Sequence, residues 1–65
     1  MFADAIEAGR TSKGWSRRRL ALAMGITPQY LQSAITGARP CNERLFVGAA
    51  QALGLKPWQL MRLGA

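Results

Sequence analysis

The stretch of sequence that decides the fold covers residues 16–37 and reads SRRRLALAMGITPQYLQSAITG. Two segments of it carry apolar residues at helical spacing, and Gly25 separates them. Glycine suits the left-handed position that ends a helix, and Thr27 followed by Pro28 is a strong signal for the start of the next helix. The stretch therefore predicts two short helices joined by a tight turn.

The sequence on either side of this stretch predicts three more helices. Apolar residues recur at helical spacing over residues 2–10, and residues 11–14 are expected to form a polar turn. Asn42 is the expected N-cap of a fourth helix over residues 43–53, and Pro57 opens a short fifth helix. We therefore expect an all-α fold, a compact single domain of five helices that occupies the whole sequence of 65 residues.

The small size of the chain limits how it can be stabilised. A chain of this length buries only about 60% of its unfolded surface. One cysteine cannot form an internal disulfide, and the absence of histidine removes the usual zinc ligands, so Cys41 is interpreted as a small hydrophobe rather than a reactive thiol. Ala21 and Gly25 are expected to require small side chains so that two helices can approach. The predicted central core consists of Leu20, Ala21, Ile26, Leu31, Phe46 and Leu53.

The charge balance favours a polyanionic partner. Nine lysine and arginine residues stand against three acids, which gives a formal net charge of +6. Solubility alone or an anionic membrane surface could also account for such an excess. No apolar run approaches the roughly 20 residues of a spanning helix, the amino terminus is unlike a signal peptide, and no segment combines a basic face with a continuous apolar one. We therefore expect an unprocessed cytoplasmic protein, and a membrane-active peptide fits poorly.

Ser16 is the candidate N-cap of the second predicted helix, and the first turn of that helix holds three arginines, Arg17, Arg18 and Arg19. Cations there oppose the positive end of the helix dipole, at a cost of about 0.3–1 kcal/mol each when exposed at low salt. The free amides of a helix start and three guanidinium groups would together bind a phosphate strongly. A solvated run of charges is the alternative.

The third predicted helix carries an uncharged polar strip. Gln29, Gln32, Ser33 and Thr36 recur at i, i+3, i+4 and i+7. Lysine and glutamate are the common choice for a solvated helix face, whereas glutamine can pair with adenine through two hydrogen bonds and serine or threonine can donate or accept. The strip therefore suits the reading of base edges, with a neutral surface face as the alternative.

A wider pattern consists of Arg10, residues 13–16, Leu20, Ala21, residues 25–27, Leu31, Gly37, Arg39 and the AQALGL ending at residues 50–55. The order of these residues resembles the lambda-repressor-like or Cro-like (XRE-type) helix-turn-helix family of phage repressors and related bacterial regulators. The resemblance covers nearly the whole chain. It implies a lambda-repressor-like fold with the helix-turn-helix at the second and third helices, and it implies double-stranded DNA as the partner, with one helix in the major groove.

The resemblance also implies which residues contact DNA. Base contacts are expected from Thr27, Pro28, Gln29, Gln32 and Ser33. Phosphate contacts are expected from Ser16, Arg17, Arg18, Tyr30, Thr36, Arg39, Arg10 and Lys13. Among the base contacts, proline can offer only an apolar surface, for example to a thymine methyl group.

Ile35 departs from the family pattern. Family members commonly have a glutamate there, which pairs with the arginine of the first helix. Arg10 therefore lacks its usual partner, and three roles stay open for it: a phosphate contact, an ion pair with Glu7 on the same helix, or an exposed side chain.

The carboxyl end has more apolar surface than a domain of this size can easily cover. With Leu60 needed in the core, Trp58, Met61 and Leu63 form the candidate interface of a two-fold homodimer. The alternative for Trp58 is a place at the edge of the core.

The leading hypothesis for function is a Cro-like repressor or autoregulator that binds a palindromic operator as a dimer in a bacterial or phage-infected cell. An antitoxin or anti-repressor type protein-binding module on the same fold is the alternative. An enzyme is disfavoured because the chain has no histidine, its acids are scattered and Cys41 has no candidate base beside it. We expect no cofactor, no metal and no small-molecule ligand.

Overall fold

The chain forms five helices in the order that the sequence predicts. A computed structural model describes residues 2–64, and no strand occurs within them, so the expected all-α fold is confirmed. Met1 and Ala65, which belong to the predicted domain, lie outside the described residues. The helices are α1 (Phe2–Ser12), α2 (Arg17–Met24), α3 (Pro28–Thr36), α4 (Glu43–Ala52) and α5 (Pro57–Leu63).

Polar side chains cap three of the helices at the predicted residues. Ser16 accepts a hydrogen bond from the amide of Arg19 (3.1 Å) at the start of α2. Thr27 accepts one from the amide of Tyr30 (3.1 Å) at the start of α3, and Asn42 caps α4 in the same way. Loss of such a cap costs about 1 kcal/mol, so these side chains fix where the helices begin.

The first helix is longer than the sequence pattern predicts. A turn is expected at residues 11–14, whereas Thr11 and Ser12 form the end of α1. The Thr11 hydroxyl donates to the carbonyl of Glu7 (2.9 Å), and this local bond lets a polar side chain continue the helix. The turn is therefore confined to residues 13–14.

One hydrophobic core lies between the helices. Five of the six residues predicted for its centre are buried, and the sixth, Ile26, is half-buried and packs against it. Burial of each large aliphatic side chain stabilises the fold by about 1.5–3 kcal/mol, so apolar packing replaces the missing disulfide. The buried cluster consists of Ala5, Ile6, Leu20, Ala21, Leu31, Phe46, Ala49, Ala50, Leu53 and Leu60.

Gly25 is required for its backbone conformation and not for a close approach of two helices. Its φ is 76°, and a Cβ there would meet nothing within 4 Å, so the expected close approach at this residue is wrong. The close approach occurs at Gly9 on α1 instead. A Cβ there would overlap Leu60 Cδ1 and lie 3.0 Å from Leu53 Cδ1, so the missing side chain lets α1 pack against α5 and the end of α4.

The packing of α1 and α2 leaves one side of α3 open. Helix α1 packs against α3, α4 and α5, and α2 packs against α3 and α4. Leu31 and Ala34 are the buried residues of α3 and face these neighbours. Gln29, Gln32 and Thr36 on the opposite side of α3 are exposed, so this helix is held by the core on one side and faces solvent on the other.

Candidate nucleic-acid interface

The outward side of α3 carries polar side chains without charge. Gln29, Gln32 and Thr36 are exposed, and Ser33 beside them is half-buried. Their spacing puts all four on one helix face. The Thr36 hydroxyl donates to the carbonyl of Gln32 (2.9 Å), whereas neither glutamine side chain makes a hydrogen bond within residues 2–64. Both glutamine amide groups are therefore available to a partner.

The start of α3 holds the other two residues expected to contact bases. Thr27 is exposed, and its Oγ1 accepts the capping bond from Tyr30, which leaves its hydroxyl proton free to donate. Pro28 follows at the first helical position and is half-buried. Because proline has no amide proton, it offers only carbon atoms to a partner.

Tyr30 and Arg39 form a stacked pair at the flank of α3. The guanidinium carbon of Arg39 lies 5.3 Å from the centroid of the Tyr30 ring, and both residues are exposed. The amide of Arg39 also donates to the carbonyl of Ser33 (3.1 Å), which ties the loop to the helix. A phenol and a guanidinium group side by side suit a phosphate oxygen, which accepts hydrogen bonds from both.

The start of α2 combines several groups that can bind a phosphate. Ser16 is the N-cap, and Arg17 and Arg18 are the first two helical residues, with no acid in that turn. The unpaired amides and the dipole of the helix favour an anion at this end. The Arg17 side chain is 41% exposed and Arg18 is exposed. Three of the expected phosphate contacts are thus brought together at one helix end.

Glu7 on α1 binds two arginines, and we refer to Glu7, Arg10 and Arg17 as the Glu7 cluster. Arg10 Nη2 lies 2.6 Å from Glu7 Oε2, and Arg17 Nε lies 3.0 Å from Glu7 Oε1. The hydrogen bonds from Arg10 hold the pKa of Glu7 below its ordinary value of 4.5; burial opposes this shift and Arg17 adds to it. The cluster connects α1 to the first residue of α2.

The Glu7 cluster gives Arg10, which is expected to contact a phosphate, partners within the protein. Its Nη1 donates to the carbonyl of Trp15 (2.6 Å), while its Nε and Nη2 donate to Glu7. Its side chain is only 17% exposed. Of the three roles that the sequence leaves open, the ion pair on the same helix is the one found. Ile35, at the usual partner's position, packs against the core.

Lys13, which is also expected to contact a phosphate, has a partner within the protein as well. Its Nζ donates to the carbonyl of Leu53 (2.9 Å) at the end of α4, where a cation complements the helix dipole. It lies 5.2 Å from the ring centroid of Trp15, and the guanidinium carbon of Arg19 lies 4.6 Å from the same ring. Lys13 therefore joins the end of α1 to the end of α4.

Arg44 is a cation near α3 that the sequence analysis does not single out. It is exposed and lines a groove of about 410 Å³ together with Tyr30 and Asn42. The groove lies where the start of α4 meets the start of α3. No local pattern could reveal this, because only the packing of the helices brings Arg44 and Tyr30 to the same groove.

The carboxyl end has an uncovered apolar surface. Trp58 is 57% exposed and Met61 is 41% exposed, and both line an apolar groove of about 290 Å³ that also includes Phe2 and Phe46. Leu63 is exposed but lies outside that groove, in a second recess beside Trp58. The structure thus brings two of the three predicted interface residues onto one surface.

Other kinds of site find little support in the part of the chain that the structure describes. No group of histidine, cysteine, aspartate and glutamate residues in this part could hold a metal ion. Cys41 is half-buried, and burial raises the pKa of its thiol, which disfavours the reactive thiolate. Among residues 2–64, no helix has the length and apolar character needed to cross a bilayer.

Comparison with known proteins agrees with this geometry. A family model described as helix-turn-helix matches residues 6–59, which include α2, the turn at Gly25 and α3. No curated protein and no solved structure matches the chain.

Proposed function

Because the chain belongs to the lambda-repressor-like, XRE-type helix-turn-helix family and is therefore a DNA-binding regulator, we propose that it is a Cro-like repressor or autoregulator. In this proposal it acts in the cytoplasm of a bacterial or phage-infected cell and binds a palindromic operator as a homodimer. It contributes recognition of DNA and no catalytic step. The observation that carries the proposal is the uncharged, exposed polar side of α3.

In the proposed complex, α3 lies in the major groove and reads base edges. Gln29 and Gln32 have exposed amide groups without partners among residues 2–64, and such groups can bond to adenine N6 and N7. Ser33 and Thr27 can each donate to a base acceptor, and Pro28 can contact a thymine methyl group. An uncharged face suits this task because hydrogen bonds to base edges depend on the DNA sequence, whereas the attraction of a charged side chain to phosphates does not.

The proposed phosphate contacts come from residues that precede, belong to or follow α3 in the sequence. Ser16, Arg17 and Arg18 at the start of α2 bind one phosphate with the help of the helix amides. Tyr30 and Arg39 bind a second, with Thr36 at the end of α3 nearby in the sequence. Arg44 is added to the proposal because it shares a groove with Tyr30. The charged groups of Arg10 and Lys13 have partners within the protein, so their expected phosphate contacts are the less central part of this proposal.

A dimer is proposed because one small module makes too few base contacts to find an operator among competing DNA. Two copies would read half-sites about 10 base pairs apart on one face of the duplex. The groove lined by Trp58 and Met61 supports an apolar dimer surface at the carboxyl end. Leu63, which lies outside the groove, is the less central member of this surface.

Protection of DNA by the purified protein tests the proposal. Duplexes selected from a random pool, and the DNA just upstream of the reading frame, are footprinted with the protein at about 150 mM salt, where non-specific contacts are weakened. We expect protection of an inverted repeat whose half-site centres are about 10 base pairs apart. Affinity for the repeat should exceed that for random duplex by about a thousandfold or more.

Two results would contradict the proposal in different ways. Equal affinity for the selected and the random duplexes would exclude an operator. Tight stoichiometric binding to a co-encoded protein, with no measurable affinity for DNA, would favour the protein-binding module of the antitoxin or anti-repressor type.

A further inference from the structure

The Glu7 cluster connects α1 to Arg17, one of the residues proposed to bind a phosphate. We propose that Glu7 is a positioning residue for DNA binding: it holds Arg17 by its Nε group, so that the two terminal nitrogens of Arg17 stay available to a backbone phosphate. This inference rests on the proposed function, in which the start of α2 receives a phosphate.

The geometry of Arg17 leaves one edge of its guanidinium group fixed and the other open. Its Nε donates to Glu7 Oε1 (3.0 Å), which bridges α2 to α1. Its Nη1 and Nη2 have no protein partner within residues 2–64, and the side chain is 41% exposed. A guanidinium group can bind an acceptor at each edge, so the bond to Glu7 and a bond to phosphate are compatible.

Arg10 explains why a carboxylate can stand so close to a phosphate site. Arg10 donates to both oxygens of Glu7, at 3.3 Å and 2.6 Å, and to the carbonyl of Trp15. One cation therefore already balances the charge of Glu7, and the charge of Arg17 is in excess within the Glu7 cluster. The carboxylate anchors Arg17 without neutralising it.

An anchored arginine has an advantage over a freely rotating one. A long side chain loses rotamer entropy when a phosphate immobilises it, and a side chain that is already held in the free protein loses less. Arg18, the next residue, is exposed and has no ion pair within the described residues. The two arginines at the start of α2 therefore differ: Arg17 is held in place before DNA binds, whereas Arg18 is not held by an ion pair.

The variant Glu7→Gln distinguishes two effects of Glu7 on DNA binding: the ordering of Arg17 and the repulsion between its carboxylate and a phosphate. It removes a negative charge near the proposed phosphate, so charge alone would strengthen DNA binding. Positioning predicts the opposite, a weakening of about two- to fivefold, because a partly exposed ion pair that orders Arg17 is lost. Glu43→Gln is the control for the loss of an acid, since Glu43 is exposed on α4 without an ion pair among residues 2–64. Because Glu43 also lines the apolar groove at Trp58, sedimentation checks that this variant self-associates as the wild type does.

The experiment measures the affinity of the full chain for a labelled duplex of arbitrary sequence, about 20 base pairs long, at about 50 mM and 150 mM salt. The variants are Glu7→Gln, Glu43→Gln, Arg17→Ala, and Glu7→Gln combined with Arg17→Ala. We expect Arg17→Ala to weaken binding and to lower the salt slope by about one unit. We expect Glu7→Gln to weaken binding only when Arg17 is present.

Arg17→Lys provides a second route that leaves the bond between Arg10 and Glu7 intact. It keeps the charge, but a lysine has one ammonium group and cannot present two separate edges to Glu7 and to phosphate. We expect it to bind the duplex less tightly than the wild type and to be insensitive to Glu7→Gln. Thermal melts by circular dichroism establish that each variant is folded at the temperature of the assay.

The results distinguish this inference from the proposed function. The inference is overturned if Glu7→Gln binds as tightly as Glu43→Gln, or if it weakens binding equally with and without Arg17. If Arg17→Ala changes neither affinity nor salt slope, then the phosphate contact itself fails, and both the inference and that part of the proposed function are overturned.

Discussion

Single side chains on α2 and α3 are expected to contribute to DNA binding in two distinguishable ways. A base contact depends on which base pair is present, whereas the phosphate is the same at every step of the duplex. Gln29 and Gln32 are proposed for the first kind of contact, and Arg18 for the second. Their alanine variants should therefore differ in selectivity as well as in affinity.

The first prediction concerns these alanine variants. Gln29→Ala or Gln32→Ala should cost about 1–3 kcal/mol of binding free energy on the operator and relax the preference at one base pair. Arg18→Ala should weaken operator and random duplex alike and lower the salt slope by about one unit. Fluorescence anisotropy titrations of operator variants measure both effects. An equal loss on operator and random DNA for the two glutamine variants would exclude direct base reading.

The second prediction concerns the pH dependence of folding through Glu7. Its pKa in the folded protein lies below the ordinary value of 4.5, chiefly because of the hydrogen bonds from Arg10. The folded state therefore binds fewer protons than the unfolded state in the acidic range. The stabilisation is fully present above the unfolded pKa, and it is lost as the pH falls from there through the lower folded pKa.

Glu7→Gln should remove this part of the pH dependence, because glutamine does not titrate. Urea unfolding measured between about pH 3 and pH 7 should show a smaller loss of stability in acid for the variant than for the wild type. Glu43→Gln, which changes an acid outside the Glu7 cluster, is measured alongside for comparison. Parallel curves for Glu7→Gln and the wild type would mean that the ion pairs of Glu7 persist equally in the unfolded chain.

At the scale of the elements, the support of α3 by the core gives a third prediction. Leu31 is fully buried on α3, so Leu31→Ala should cost about 2–5 kcal/mol of unfolding free energy. Leu22 on α2 is 63% exposed, and Leu22→Ala provides the same chemical change outside the core at a cost within about 0.5 kcal/mol. Thermal or urea unfolding compares them. A similar stability of the two variants would mean that α3 faces the core by a different side.

The approach of α1 to α5 gives a fourth prediction. At Gly9 an added Cβ would overlap Leu60 Cδ1 in the core, whereas at Gly48 on α4 the nearest side-chain atom is Met24 Cε at 3.8 Å. Gly48→Ala should raise the stability by about 0.5–1 kcal/mol through helix propensity. Gly9→Ala gains the same propensity but overpacks the core, so it should be less stable than Gly48→Ala by about 1–3 kcal/mol.

Unfolding midpoints of the two glycine variants check this difference. The prediction fails if Gly9→Ala stabilises the protein as much as Gly48→Ala does, since Leu60 would then move aside without cost.

Helix starts could be predicted from the sequence because their determinants are local. The capping side chains Ser16, Thr27 and Asn42 each bond to an amide three residues later, so the signal and the structure lie in the same short segment. The end of α1 was harder to predict, because threonine is common in turns and the sequence does not show that the Thr11 hydroxyl donates to the carbonyl of Glu7. The prediction that Gly25 allows a close approach of two helices is wrong for a similar reason. The sequence indicates that a glycine is needed there, but it does not distinguish a positive φ from a close approach.

At the scale of the whole molecule, contacts between distant segments mark the limit of prediction from sequence. The bond from Lys13 to the carbonyl of Leu53 joins residues 40 positions apart. The bond from Arg17 to Glu7 joins two helices, and no local pattern predicts it. The uncharged polar strip of α3 is a local pattern and could be predicted from the sequence. The groove that Arg44 shares with Tyr30 forms only when the helices pack, so it could not be predicted.

The fifth prediction concerns assembly of the whole molecule. If the groove at Trp58 and Met61 is the dimer surface, Trp58→Ala should weaken self-association by about 2 kcal/mol or more, as expected for a central aromatic anchor. Met61→Ala should weaken it less. Leu22→Ala removes a comparably exposed apolar side chain from α2 and should leave association unchanged. Sedimentation of the free protein and the stoichiometry of its DNA complex measure these effects.

A contrary result for assembly is equally clear. One chain for each protected site, unchanged by either substitution in α5, would leave the palindromic operator without a two-fold protein to match it.

The outward side of α3 also has a consequence for how such a protein can change over generations. The side chains of Gln29 and Gln32 make no hydrogen bond within residues 2–64, while Leu31 and Ala34 hold the helix in the core. If these side chains read bases as proposed, mutations at the two glutamines would alter the preferred DNA sequence with little effect on stability. A lineage that keeps the buried residues of α3 would then acquire new target sites by drift at its exposed ones, one base pair at a time.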